Sequence, residues 1–351
     1  MAPVETRPCG SSGLNLSAVG LGCWAFGGGE YWGAQSQDDV DEVVHAALDL
    51  GITYFDSAEA YNGGASETSL GRALTGRRDR AVVGTKVNPS NTAPATLRAH
   101  CEASLRRLGT DWIDLYMVHW PINASALRHF TADAAILAQP PGLGEALQTL
   151  ESLKAAGKIR HWGVSNFGVR QLEEVAGLGF RPAADELAYN LLMRGIEARV
   201  LPWCRDHGVG VLGYSALMQG LLSGKFTSID DLPPARTRTR HFAGTRPGSR
   251  HGGPGAEAQV WAALQAIADL ATERGVPVAD LAIAWAVANP AVTCTIVGCR
   301  NRRQLEENVR ARSTALAPAL KQRLDQATDQ VLATLGPHID YYQSIEDSRS
   351  F

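Results

Sequence analysis

Several large protein classes are excluded by what this 351-residue chain does not contain. No apolar run approaches the ~20 residues needed to cross a bilayer. Met1 to Asn15 has neither the basic start nor the apolar stretch of a secretory signal, so a cytoplasmic location is expected. Cysteine is sparse and scattered, at Cys9, Cys23, Cys101, Cys204, Cys294 and Cys299. None forms a CxxC pair or stands at zinc spacing from a histidine, so no metal and no disulfide framework are expected, only reduced, mostly buried thiols. Neither sign of charge dominates: 33 Lys and Arg face 36 Asp and Glu, a net charge of -3. That balance argues against nucleic acid or an anionic membrane surface as a partner. Internal repeats and low-complexity segments are also missing.

What is present is an alternation. Short β-rich runs at Val19–Gly22, Thr53–Asp56, Ala81–Lys86, Leu115–Trp120, His161–Ser165, Glu186–Tyr189, Val209–Tyr214 and Thr293–Val297 are each followed by an amphipathic stretch. The first such stretch, Asp38 to Leu50, carries Val40, Val43, Val44, Ala47 and Leu48 at helical spacing and stops at Gly51. Ser66 is a candidate cap for the second helix, which runs to Leu74. Strands joined through crossover helices lie parallel. Eight β-then-α units predict a closed α/β (β/α)8 TIM barrel, and the nearly all-apolar strands suit a sheet buried behind helices. The expected organisation is one domain over 1–351, with the barrel at 18–312 and a helix and tail at 313–351. An N-terminal β-hairpin turning at Ser11–Gly13 precedes the barrel. Two long irregular loops, 121–143 and 227–255, follow strand ends, where the active sites of such barrels lie. The second is rich in Arg and His and reads first as a mobile lid, next as a clamp on the cofactor or an anionic substrate, and also as a subunit contact.

Strand ends carry the informative side chains: Asp56, Lys86 and His119, with Tyr61 just beyond Asp56. Hydride reduction of a carbonyl needs a proton donor at the oxygen where charge develops. A tyrosine with pKa near 10 is a poor donor at neutral pH, and a neighbouring ammonium is expected to lower it. An aspartate keeps that ammonium charged, and a neutral histidine orients the carbonyl. Lys86 also argues against reading His119, Asp56 and Glu186 as a metal site. Gly20-Leu-Gly-Cys-Trp-Ala25 matches a dinucleotide fingerprint in form, but the glycine run after it does not start the helix that the fingerprint requires.

The segments Gly51-Ile-Thr-Tyr-Phe-Asp-Ser-Ala-Glu-Ala-Tyr61, Val83-Gly-Thr-Lys86, Leu115-Tyr-Met-Val-His-Trp-Pro121, Gly163-Val-Ser-Asn-Phe167, Tyr214-Ser-Ala-Leu-Met-Gln-Gly220 and Val297-Gly-Cys-Arg-Asn-Arg-Arg-Gln-Leu-Glu-Glu-Asn308 resemble the signatures of the aldo-keto reductases. The likeness is nearest to the bacterial and potassium-channel-β-like branch, since Leu221-Leu-Ser-Gly-Lys225 follows the seventh strand. It implies Asp56, Tyr61, Lys86 and His119 as the catalytic tetrad and an extended nicotinamide cofactor across the barrel mouth. Ser165, Asn166 and Glu186 would hold its carboxamide, and Tyr214 would stack on its ring. Ser215, Leu217 and Gln219 would follow the pyrophosphate, and Gly298, Arg300, Gln304 and Asn308 the adenosine. Glu186 departs from the glutamine usual in the family, and Ala216 from a common proline. The lysine and arginine that some members use on the 2′-phosphate of NADPH are missing at Gly298 and Gln304, which leaves Arg300, Arg302 and Arg303 as replacements, Arg300 first. NADP(H) is therefore expected ahead of NAD(H).

For substrate, Trp24, Trp32, Trp120 and Arg128 are the candidates, and the aromatic set suits a sugar or polyol carbonyl. A polyol or inositol dehydrogenase working in the oxidising direction, or a cofactor-binding regulatory subunit without turnover, are the alternatives. A homo-oligomer is possible on this reading.

Overall fold

The computed structural model describes residues 3–350. Eight parallel strands close a barrel: β3 (Val19–Gly22), β4 (Tyr54–Asp56), β5 (Val82–Val87), β6 (Ile113–Val118), β7 (Ile159–Ser165), β8 (Ala184–Ala188), β9 (Gly210–Tyr214) and β10 (Cys294–Gly298), with β10 pairing back onto β3. The helices between them are α1 (Gln37–Asp49), α2 (Ala65–Ala73), α3 (Pro94–Leu108), α4 (Ala124–Phe130), α5 (Ala134–Ala138), α6 (Leu143–Ala155), α7 (Val169–Gly177), α8 (Val200–His207), α9 (Glu257–Arg274) and α10 (Val278–Val287). Helices α11 (Arg302–Ala311) and α12 (Pro318–Leu335) follow the last strand. The fold is the (β/α)8 TIM barrel expected from the alternation.

The hairpin is also present, as β1 (Thr6–Pro8) against β2 (Asn15–Ser17). It plugs the N-terminal end of the barrel. Ser11 N–H donates to Gly208 O ahead of β9, and Cys9 reaches Ala183 O ahead of β8. Leu14 and Leu16 join Tyr54, Leu115, Met117, Leu212 and Ile296 in the barrel interior. The larger core lies between strands and helices, where Val40, Val43 and Val44 of α1 and Leu147 and Leu150 of α6 are buried. All six cysteines are buried and unpaired to one another.

Packing below the mouth fixes the height of the site. Gly84 on β5 has no side chain because a Cβ there would meet the Tyr54 hydroxyl at 2.3 Å. Tyr54 thus fills the barrel directly under Asp56, its hydroxyl 3.5 Å from Asp56 Oδ1.

Three local expectations change. Ser66 lies inside the first turn of α2, not at its cap, and is buried; its hydroxyl donates to Cys23 O at 2.7 Å. The 121–143 segment is not irregular throughout: Asn123 caps α4 and Asp133 caps α5. The 227–255 loop is not one functional unit. Arg240 and His241 are buried structural groups, bonded to Leu335 O and Leu192 O, and Arg246 pairs with Asp230 and Glu257. Among the described residues, no helix is long and apolar enough to cross a membrane.

Candidate active site

At the C-terminal mouth lies a cavity of about 920 Å³. Strand register places its floor. Asp56 ends β4 opposite Gly84, Lys86 sits on β5 opposite Met117, and Ser165 ends β7 opposite Glu186. Tyr61 arrives from the loop after β4. Its neighbour Asn62, in the left-handed region (φ 51°), donates through Nδ2 to Trp24 O and Phe26 O, both at 2.9 Å. That double tie locks the Tyr61 loop to the segment after β3.

Lys86 is fully buried. Its Nζ lies 2.6 Å from Asp56 Oδ1, 3.0 Å from Ser57 O, 3.2 Å from Glu186 Oε1 and 3.4 Å from the Tyr61 hydroxyl. Burial works against the ammonium, but Asp56 and then Glu186 hold it above the usual lysine range. Tyr61 behaves differently from the expectation. Burial raises its phenol above the ordinary range, and the pull of Lys86 only partly offsets this. The phenol is therefore a firmly held proton. His119 follows β6 with its ring 5.8 Å from that of Tyr61. Burial, then Lys86 and Arg349, push its imidazole well below its usual value, so it is neutral. Glu186 is raised well above the carboxylate range by burial and by Asp56 beside it.

The rest of the expected path is also gathered here. Ser165, Asn166, Tyr214, Ser215, Leu217, Gln219, Gly298, Arg300, Gln304 and Asn308 all line the cavity, as do Trp24, Trp32 and Trp120. Arg128 does not: its guanidinium bonds Ser125 on the exposed face of α4, while the next two residues, His129 and Phe130, turn inward. Arg238 and Arg250 of the basic loop line the same cavity, and so do Arg310 and Arg349, which together with Phe130 carried no signal in the sequence reading. The two tyrosines of the tail divide: the Tyr341 hydroxyl is buried and accepts from Gly195 N–H, whereas Tyr342 faces the cavity.

A model of the aldo/keto reductase family matches residues 18–329. The chain belongs to the aldo/keto reductase family. A Bacillus subtilis aldo-keto reductase, YhdN, is 32% identical over 86% of this chain and 87% of that protein. An NADH-specific methylglyoxal reductase of Escherichia coli is 31% identical over 89% and 94%. Among solved structures, a glycerol dehydrogenase from Gluconobacter oxydans is 30% identical with a TM-score of 0.72, covering 95% of this chain and 96% of that one. An aldo/keto reductase from Klebsiella pneumoniae in complex with NADP and acetate is 27% identical with a TM-score of 0.66, covering 92% and 95%. This aldo/keto reductase is an NAD(P)H-dependent oxidoreductase of carbonyl compounds.

The residues of this aldo/keto reductase fit a dinucleotide. Asn166, Ser215, Met218 and Gln219 all hold positive φ, from 45° to 63°, in the turns after β7 and β9. Strain of that kind in four non-glycine residues at one mouth marks backbone shaped for a ligand. The Asn166 amide is fixed by Tyr214, whose hydroxyl donates to Oδ1 at 2.7 Å, and by its own donation to His119 O at 3.1 Å. At the far end Arg300 Nε is buried with no hydrogen-bond partner, an unmet donor at the place expected for a phosphate. Arg302 and Arg303 are 56% and 74% exposed and pair with Glu306 and Glu307 along α11.

Proposed function

We propose that the protein reduces an aldehyde or ketone of sugar or polyol type with NADPH, and that Tyr61 delivers the proton. Bound nicotinamide supplies hydride at the carbon. The chain supplies everything at the oxygen. Tyr61 presents its phenol to the carbonyl. Lys86, charged and 3.4 Å behind, stabilises the phenolate that forms as the proton leaves. Asp56 fixes Lys86. Neutral His119 would donate to the same oxygen and set its direction toward the Tyr61 phenol. Ser165, Asn166 and Glu186 hold the carboxamide side of the ring, and Tyr214 stacks on it. Trp24, Trp32 and Trp120 give the substrate apolar faces, which suit the carbon face of a polyol. The unmatched donor of Arg300, together with the NADP in the Klebsiella structure, favours NADP(H), and the NADH-specific relative keeps NAD(H) as an alternative.

One observation carries this reading: a protonated phenol within reach of a buried, doubly paired ammonium on the floor of the cavity. Tyr61→Phe tests it. The expected result is a loss of carbonyl reduction by about 10²- to 10⁴-fold, the range typical of general acid catalysis, with NADPH affinity kept, as read by quenching of tryptophan fluorescence. Near-normal turnover in that variant would overturn it.

A further inference from the structure

One part of the cavity wall is cationic. Arg238 and Arg250 reach it from the 227–255 loop, and Arg349 from the C-terminal tail. Arg349 is only 2% exposed. Asp340, itself buried, accepts from its Nε at 2.7 Å, its Nη2 at 2.7 Å and its backbone N–H at 3.0 Å. The guanidinium carbon rests 3.6 Å from the centre of the Trp120 ring. Asn123 Nδ2 and Asn166 O hold the backbone on either side, through Arg349 O and the Ser350 hydroxyl. One edge of the guanidinium fork is thus spent on Asp340; Nη1 takes part in none of these bonds. Arg250 Nη1 rests against His129 Nδ1, which is neutral and can only accept.

The count of charges decides what this wall is for. The carboxylates that line the cavity are Asp56 and Glu186, committed to Lys86, and Asp280 and Glu307 at the adenosine end, where Asp280 pairs with Arg310. Asp340 is then the counter-charge to three arginines, close enough that Arg349 and Arg238 both depress the Arg250 guanidinium after burial itself. Arg238 and Arg250 therefore have no carboxylate of their own, and as Arg250 is exposed and Arg238 half-buried their donors stay open to an anionic ligand. Guanidinium forks pair best with carboxylate, sulfonate or phosphate oxygens. Position matters as much as charge. Trp120, which carries Arg349, adjoins His119 in the chain, so the anion site and the proton-delivery site are neighbours.

We propose that the substrate is a short carbonyl compound bearing an anionic group, its carbonyl at Tyr61 and its anion between Arg349 and Arg250. The proposal rests on the carbonyl-reduction reading and narrows its substrate class from neutral polyols to sugar-sized anions.

The test compares matched aldehydes with and without the charge: succinic semialdehyde against butanal, and 4-carboxybenzaldehyde against 4-methylbenzaldehyde. Wild-type enzyme is expected to favour the carboxylate of each pair by at least about tenfold in kcat/KM, the effect of one charge-assisted hydrogen bond. Arg250→Gln and Arg349→Gln are expected to lower that ratio about tenfold each. Arg250→Gln guards the test, because it does not touch the Asp340 clamp and so cannot fail by unravelling the tail. A ratio near one in the wild type, or a ratio that neither variant moves, overturns the proposal. If none of the aldehydes is reduced, the carbonyl-reduction reading fails and calorimetry still decides this one. On the NADP+-loaded protein, 4-hydroxybutyrate binding at least about tenfold tighter than 1-butanol supports the anion site; equal binding overturns it.

Discussion

Lys86 has two carboxylates against it and one charge to share between them. The two are not equivalent. Asp56 is closer, at 2.6 Å against 3.2 Å, and also takes the Tyr54 hydroxyl. Glu186 has its second oxygen buried without a partner, and burial together with Asp56 pushes its carboxyl well above the carboxylate range. That direction favours the protonated carboxyl, which is nearly isosteric with the glutamine usual at this position. Glu186→Gln should therefore change kcat/KM at pH 7 by less than about threefold, a fraction of one hydrogen bond. Asp56→Asn removes the counter-charge of a buried ammonium and should cost at least about 10²-fold, since an unpaired buried cation gives up its charge. Steady-state kinetics on the pair, with NADPH affinity as a control, checks this order; a larger loss for Glu186→Gln would show that the charge sits on the wrong carboxylate.

At the scale of elements, the segment between β3 and α1 is tied to the mouth through side chains. It crosses the cavity as a strap. Trp24 stacks on Tyr31 with ring centres 4.8 Å apart, and Trp32 meets both edge-on. The Tyr31 hydroxyl donates to Gln219 Oε1 at 2.5 Å, and Gln35 Nε2 donates to Arg300 O at 3.0 Å. Gly28, Gly29 and Gly33 flank the aromatic knot at positive φ, so the backbone on either side is glycine where it turns. The strap thus ties Gln219, expected along the pyrophosphate, to Arg300, expected at the adenosine. Tyr31→Phe keeps the stacking and removes one tie. Cofactor dissociation, followed by stopped-flow fluorescence, should accelerate about 3- to 10-fold, the worth of one hydrogen bond. An unchanged rate would mean that the strap does not gate release.

The same scale shows what the sequence could reveal. The eight βα units were legible because each strand is buried on both sides and reads as an apolar run, and each helix shows a stripe such as Val40, Val43 and Val44. Asp56, Lys86 and His119 were legible because strand ends in this architecture point one way. Arg128 was misplaced because a seven-residue helix has no periodicity to tell its inner face from its outer one. Arg349 was invisible for a different reason. Its partners include Asn123, 226 residues away, and Ser350 meets Asn166 across 184 residues, separations at which no local pattern survives.

For the whole molecule, acid stability follows from histidines folded in as neutral groups. His241 is the clearest case. It is buried, its Nε2 faces Leu192 O at 2.8 Å and its Nδ1 faces Thr239 Oγ1 at 3.1 Å. A carbonyl only accepts, so Nε2 carries the proton and Nδ1 takes the threonine hydroxyl; the neutral ring is fully satisfied. Burial first, despite the help of Leu192 O, lowers its pKa from 6.5 to about 4. The unfolded chain then binds a proton between pH 6.5 and 4 that the folded chain refuses. Stability from this group is complete above about pH 6.5 and falls as the pH drops toward 4, by a total of about 3 kcal/mol. His129, also lowered to about 4, acts in the same direction, damped by its exposure to solvent. Burial pushes the Asp185 and Glu186 carboxyls above the carboxylate range, so they act in the opposite direction, and the His241 contribution is read as the difference between variant and wild-type melts, which should change by about 3 °C between pH 7 and pH 4.5. His241→Gln should lower the melt at pH 7 yet flatten the decline, because a group that cannot titrate has no pH dependence to contribute. A variant that declines as steeply as the wild type would place the acid sensitivity outside this histidine.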